Sequence, residues 1–268
     1  MTKKDISVVV LTSRGPRHSF FCRELAQHFK LDGIVVDDRY HPLDRIVSFL
    51  KNCGLNPVRI LKKLSQKRKL SVFEKRDSLI EDRAFPVNGP SFPEGVPLLM
   101  SPDPNSLDAT RWIRDRKPDV IAVFGTRLIK DHVLSIARLG ALNLHTGLSP
   151  FYRGGQCTFW CLYEEDLEHV GVTVHHLSSK IDGGDIVYTS KPEIDEQDTV
   201  RSIECKLVWL GSRDMIRAIG EIAGGNAPRI PQVEKGKLFL SKMFTLDKRL
   251  ELEKKMADGL LRKLLRVP

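Results

Sequence analysis

Ile6-Ser7-Val8-Val9-Val10-Leu11 is a short, almost continuous apolar run rich in β-branched residues, the composition of a strand buried on both faces of a parallel sheet. Thr12-Ser13-Arg14-Gly15-Pro16 breaks it. Phe20, Phe21, Leu25 and Phe29 follow at roughly helical spacing, and Gly33-Ile34-Val35-Val36-Asp37 makes a second strand-like run. The opening therefore reads β-α-β, for which a right-handed crossover and a doubly wound sheet are the default.

Working outward, residues 41–80 read as helical and strongly basic, with eight Lys or Arg in the nineteen residues from Val58 to Arg76. A solvated helix face is the plainer account of that run and an anion-binding patch the alternative. A Pro-rich loop from Phe85 to Pro97 precedes Leu98-Leu99-Met100, Ser106 to Arg116 reads as a helix, and Val120-Ile121-Ala122-Val123-Phe124 is the strongest strand pattern. Further strands are expected over 141–145, 170–177 and 185–190. Asp198-Thr199 has the chemistry of a helix N-cap, with an apolar stripe running to Gly224-Gly225. Beyond Pro228 a short strand at 238–240 and a basic amphipathic helix over 247–265 are expected.

The 268 residues are 41% hydrophobic and 29% charged, which excludes collagen-like, disordered and coiled-coil classes. No apolar run approaches the ~20 residues of a membrane span, and Met1 to Asp5 lead into a strand pattern rather than a signal peptide, so the start is expected to be the mature one. Cys22, Cys53, Cys157, Cys161 and Cys205 are odd in number and scattered, which fits a reducing cytoplasm better than a disulfide framework. Cys157 and Cys161 lie at i, i+4 without paired ligands, so core packing is expected there and no metal. A net charge of +9 favours acidic partners: nucleotides, polyglutamylated cofactors, nucleic acid or an anionic membrane surface.

Chemistry concentrates in 143–185. Asn143 and His145 are two apart on a strand, so their side chains share one face at the carboxyl end where open α/β sheets bind ligands. Asp182 follows in a Gly-flanked loop. His175 reads either as lining the site or as an ordinary hydrogen-bonded histidine, and Tyr152 and Arg153 either hold their turn or touch a second substrate. Arg14 and Arg17 follow the first strand, where a helix N-terminus can receive a phosphate, with plain surface charge as the alternative.

Asn143-x-His145, a Leu148-x-Pro150-x-Tyr152-Arg153-Gly154 loop, the Gly171-Val172-Thr173-Val174-His175 strand and Asp182-Gly183-Gly184 together resemble the formyltransferase family that uses 10-formyltetrahydrofolate. That family includes glycinamide ribonucleotide, methionyl-tRNA and amino-sugar formyltransferases. The resemblance implies a Rossmann-like, mostly parallel sheet flanked by helices, with residues 1–227 as catalytic domain and 228–268 as a small basic C-terminal extension. It implies that an acceptor amine attacks the formyl carbon, that Asn143 and His145 stabilise the developing oxyanion, and that Asp182 supports His145 and helps move the amine proton. Phe124, Gly125, Thr126, Leu128, Ile181 and Gly183 would meet folate, and Arg14, Arg17, Tyr152, Arg153 and His175 the acceptor. Two departures stand out: Gly147 where the family commonly has Ser, and Ser149 where it has Leu.

Only about 40 residues follow Pro228, too few for the basic C-terminal domain of the tRNA-formylating members, and 12–16 lack a Gly-Asn-Gly-Ser-like phosphate loop. A nucleotide-linked amino sugar is therefore the expected acceptor, with glycinamide ribonucleotide or another small amine as alternative. A formyltetrahydrofolate hydrolase would be expected to carry an N-terminal regulatory domain ahead of the first strand. A non-enzymatic nucleic-acid-binding protein would explain the charge, but only Phe73 interleaves with the basic run. Folate and a small amine are thus the expected partners, with no membrane, no tRNA, and a homodimer allowed.

Overall fold

The opening run folds as β1 (Ser7–Thr12), followed by α1 (Pro16–His28) and β2 (Lys30–Asp37). The computed structural model describes residues 5–38, 57–86, 92–178 and 180–266. The chain continues through α2 (Pro57–Ala84), β3 (Leu98–Ser101), α3 (Leu107–Arg114), β4 (Val120–Phe124), α4 (Asp131–Leu134), β5 (Gly140–His145), β6 (Tyr152–Gly154) and α5 (Cys157–Tyr163). It ends with β7 (Val172–His176), β8 (Ile186–Ser190), α6 (Val200–Ala223), β9 (Lys237–Phe239), α7 (Leu246–Ala257) and α8 (Leu260–Leu265).

Seven strands form one sheet in the order β3-β2-β1-β4-β5-β7-β8. β3, β2, β1, β4 and β5 pair in parallel, and β7 and β8 add antiparallel at the edge. Period-2 alternation explains why the central strands read as solid apolar runs. Val8, Val10, Val120, Ala122 and Leu142 face a core built with α1 and α6, whereas Val9, Leu11, Ile121 and Val123 face one built with Ile113 and Val133 of α3 and α4. Both faces of the sheet are therefore covered.

Of the expected basic helix, residues 41–56 lie outside the described residues and 57–84 form α2. Thr199 caps α6 reciprocally with Ser202: each backbone N–H is taken by the other's hydroxyl, at 3.1 and 2.8 Å. The single helix expected over 247–265 is two, α7 and α8, because Gly259 adopts φ +88 between them.

Residues beyond 228 are woven into the main core. β9 pairs in parallel with β6, Phe239 stacks on Trp160 and Tyr152, and Leu252, Leu260 and Leu261 are buried. Arg76 of α2 forks onto the two carboxylate oxygens of Glu253 at 3.0 and 2.9 Å, tying α2 to α7.

Candidate active site

β5 carries Asn143 and His145 to the carboxyl edge of the parallel strands, and antiparallel pairing sets His175 of β7 directly opposite Asn143. The loop after β7 returns Asp182, held at φ 45, to the same place. Asp182 Oδ2 lies 3.7 Å from His145 Nδ1 and accepts the Gly154 N–H at 2.8 Å, while Oδ1 lies 3.6 Å from His175 Nε2. One carboxylate is thus shared by two imidazoles and a backbone amide.

Burial alone would raise the Asp182 pKa; the positive charge that His145 and His175 carry when protonated, and the Gly154 amide, outweigh it and hold the carboxyl well below its usual range. His145 is 7% exposed, and its Nε2 lies 3.0 Å from the Tyr152 carbonyl, which can only accept, so Nε2–H is the donor. Nδ1 is then the nitrogen with a free lone pair, and it faces Asp182. A proton arriving at Nδ1 would sit between imidazole and carboxylate. His175 Nδ1 similarly donates to the His176 carbonyl at 2.9 Å, leaving Nε2 to accept from the Asn143 amide at 3.1 Å.

Gly147 is explained by crowding. A Cβ there would fall 2.4 Å from His145 Nε2, 2.8 Å from Cys157 Cβ and 2.9 Å from the Tyr152 carbonyl. The loop around it is pinned by Thr173, whose hydroxyl donates to the Gly147 carbonyl at 2.7 Å and accepts the Ser149 N–H at 2.9 Å.

Gly125, expected to meet folate, has φ +70 and rests on His18, whose Cε1 would lie 2.6 Å from a Cβ at that position. His18 is buried and donates from Nδ1 to Thr12 Oγ1, because that hydroxyl gives its own proton to the Phe124 carbonyl. Burial, and then the charge of Arg17, push the His18 pKa well below its usual value, so it is a neutral support. The Phe124 ring packs on His18 and Phe21, so only its backbone faces the loop. Asp37 holds that loop by accepting from the Arg127 backbone at 2.9 Å and its guanidinium at 2.8 Å. Thr126 bonds the Arg127 carbonyl, Leu128 and Ile181 are exposed, and Gly183 continues the Asp182 loop.

Several residues expected at the acceptor are otherwise engaged. Tyr152 is 1% exposed and its hydroxyl donates toward Glu164 and Asp166, so its backbone, not its ring, meets the site. Arg17 pairs with Glu204 at 3.2 Å and approaches Glu81 at 3.9 Å. Arg14 pairs with Asp38 at 2.6 Å, and Arg153 reaches the Gly236 carbonyl at 3.2 Å.

Thr173, Asp37 and Gln232 escaped the sequence reading as site supports. Gln232 donates to the Asp182 carbonyl at 2.9 Å and the Gly184 carbonyl at 2.6 Å, fixing the carboxylate loop from a segment with no readable pattern. Cys157 and Cys161 are buried in the core, with Cys157 Sγ 3.5 Å from His145 Nε2. Burial pushes the Cys157 thiol pKa well up, with Asp182 adding to it.

The family pattern described as formyl transferase matches residues 45–219, which contain Asn143, His145, His175 and Asp182. The chain belongs to the formyl transferase family. Methionyl-tRNA formyltransferases from Chlorobium limicola and Methylacidiphilum infernorum are 33% and 37% identical over 141 and 130 residues, covering 53% and 48% of this chain. The chain spans less than half the length of either, 44% and 40%.

Among solved structures, a sugar N-formyltransferase from Shewanella superposes with TM-score 0.57 at 15% identity, over 92% of this chain and 86% of that chain. A formyltransferase from Anoxybacillus kamchatkensis, solved with UDP-4,6-dideoxy-4-formamido-L-AltNAc and tetrahydrofolate, gives 0.54 at 17%, covering 96% and 97%. Glycinamide ribonucleotide transformylase 1 from Symbiobacterium toebii gives 0.55 at 19%, covering 85% and 94%. At these identities the likeness is one of fold.

Proposed function

We propose that this chain transfers the formyl group of 10-formyltetrahydrofolate to the primary amine of a nucleotide-linked amino sugar. The observation that carries the reading is the approach of His145 and His175 to the one carboxylate of Asp182, with Asn143 hydrogen-bonded to His175 beside them, inside the family segment. Folate, when bound, supplies an electrophilic formyl carbon.

The residues present suit such a ligand. The Gly125–Leu128 loop follows β4, whose last residue pairs with Leu144 of the site strand, and Ile181 adjoins Asp182. Exposed aliphatic Leu128 and Ile181 offer apolar contact for a flat heterocycle, and the loop that turns at Gly125 with φ +70 would bring backbone groups to its polar edge.

Asn143 has a second amide N–H beyond the one given to His175, and it donates to the formyl oxygen as negative charge builds there. A donor of this kind is typically worth about 3–4 kcal/mol of transition-state stabilisation. His145 takes the amine proton at Nδ1, the nitrogen turned toward Asp182, Asp182 stabilises the cation so formed, and the imidazolium gives that proton back to the departing folate nitrogen as its bond to the formyl carbon breaks.

The test measures tetrahydrofolate release with nucleotide-linked amino sugars, glycinamide ribonucleotide and methionyl-tRNA. Turnover that needs an amino sugar supports the reading. Release without any amine would make the chain a hydrolase. Relatives alike in sequence include methionyl-tRNA formyltransferases, so that acceptor is the second reading.

A further inference from the structure

α2 is a 28-residue helix with Leu70 as its one buried residue, and the chemistry of the site makes no use of it. Ile80 packs toward the core, but four other aliphatic side chains are turned outward: Val58 is 73% exposed, Leu61 67%, Val72 67% and Leu79 58%, with Leu64, 49% exposed, about 60° further round. At about 100° per residue these four fall within roughly 60° of one another, and Leu70 points about 160° away. The helix therefore has one apolar side against the protein and a second set of aliphatic side chains that stays exposed among the described residues; Arg76, at the angle of Val58, leaves this side for Glu253 of α7. From Val58 to Leu79 the outer stripe runs about 32 Å.

Its borders are positive. Arg68 and Lys75 lie along one side, Lys62 and Lys69 along the other, and Arg83 sits at the end, with Asp82 the one carboxylate nearby. Among the described residues no carboxylate pairs with Arg68, Lys69, Lys75 or Arg83, and Lys62 keeps Asp247 only at 3.8 Å on the surface.

We propose that this face of α2 docks the enzyme on an anionic lipid surface, lying in the plane of the headgroups. Charge and shape choose that occupant. A second copy of the chain would bring two rows of cations together, and a nucleic acid would use the cations but leave the aliphatic stripe wet. An interface of acyl chains beneath anionic headgroups satisfies both, with the Lys and Arg heads reaching up to phosphate. No helix among the described residues is long and apolar enough to cross a membrane, and a surface-lying helix needs no such length.

The full chain would be sedimented with vesicles of phosphatidylcholine, with and without phosphatidylglycerol. Binding is expected only to the anionic vesicles, weakened at least about tenfold by Lys69→Glu with Lys75→Glu and by Leu61→Ser with Val72→Ser. All four sites are exposed, so melting should not change. No binding to anionic vesicles overturns the proposal. So does retention on tRNA lost with the charge pair but kept with the aliphatic pair, or a lipid-free dimer that Val72→Ser abolishes.

Discussion

Nε2 of His175 lies 3.1 Å from the side-chain nitrogen of Asn143, across the antiparallel pair of β5 and β7. Because His175 Nδ1 is committed to the His176 carbonyl, the ring acts on Asn143 as an acceptor and decides which end of the amide faces it. His175→Leu should lower kcat roughly tenfold to a hundredfold with folate affinity little changed, and His175→Gln should recover part of it. In an Asn143→Ala background, His175→Leu should cost nothing further. A full additional loss there would show that His175 does not act through Asn143.

Asn143→Ala and His145→Ala should each reduce turnover by roughly two to three orders of magnitude without unfolding the chain. Turnover and melting are measured on the same preparations. Near-normal turnover in either variant removes that residue from the chemistry.

Asp182→Asn keeps the shape of the side chain, and an oxygen for the Gly154 N–H, but loses the charge beside His145 Nδ1. We expect folate binding to survive, turnover to fall by about two orders of magnitude, and higher pH to restore little of it. Full recovery by about pH 9 would mean that the carboxylate acts only as a base toward the incoming ammonium.

Gly147→Ala places a methyl group against His145, Cys157 and the Tyr152 carbonyl together. Overpacking of this kind costs about 1–3 kcal/mol, and the displaced imidazole should cut activity more than stability. Chemical denaturation and kcat measured together separate the two effects. An active, fully stable alanine variant would mean that the His145 position is not set by that contact.

Stability should fall on the acid side in two stages. His18 is favoured neutral in the folded state, so its contribution is complete above its unfolded pKa of about 6.5 and declines as pH falls below it, at up to about 1.4 kcal/mol per pH unit. The Asp182 carboxyl is depressed, so its contribution is complete above the unfolded carboxylate pKa of about 3.9 and is lost only at lower pH. His18→Gln should flatten the first stage of a melting-temperature profile and leave the second. An unchanged slope between pH 6.5 and 5 would count against the buried neutral His18.

Residue order along the chain was enough to place β1, β2, β4, β5, β7 and β8, the Thr199 cap, and the pairing of Asn143 with His145 on one strand face. Each depends on neighbours within a few positions, through strand alternation, helical spacing and turn chemistry. Spacing also brought Asp182 into the constellation, since a Gly-flanked loop announces itself locally. What Asp182 touches was not legible: the Gly154 amide, two imidazoles and the Gln232 clamp come from four separate segments. The same holds for Arg17, which resembles a free phosphate ligand until Glu81 and Glu204, 64 and 187 residues away, fold against it. Gly147 reads as a departure from a motif until the imidazole of His145 occupies the space a side chain would need. A side chain's type and local period are written in the sequence, whereas its hydrogen-bond partner and free volume depend on residues that only the closed tertiary packing brings within reach.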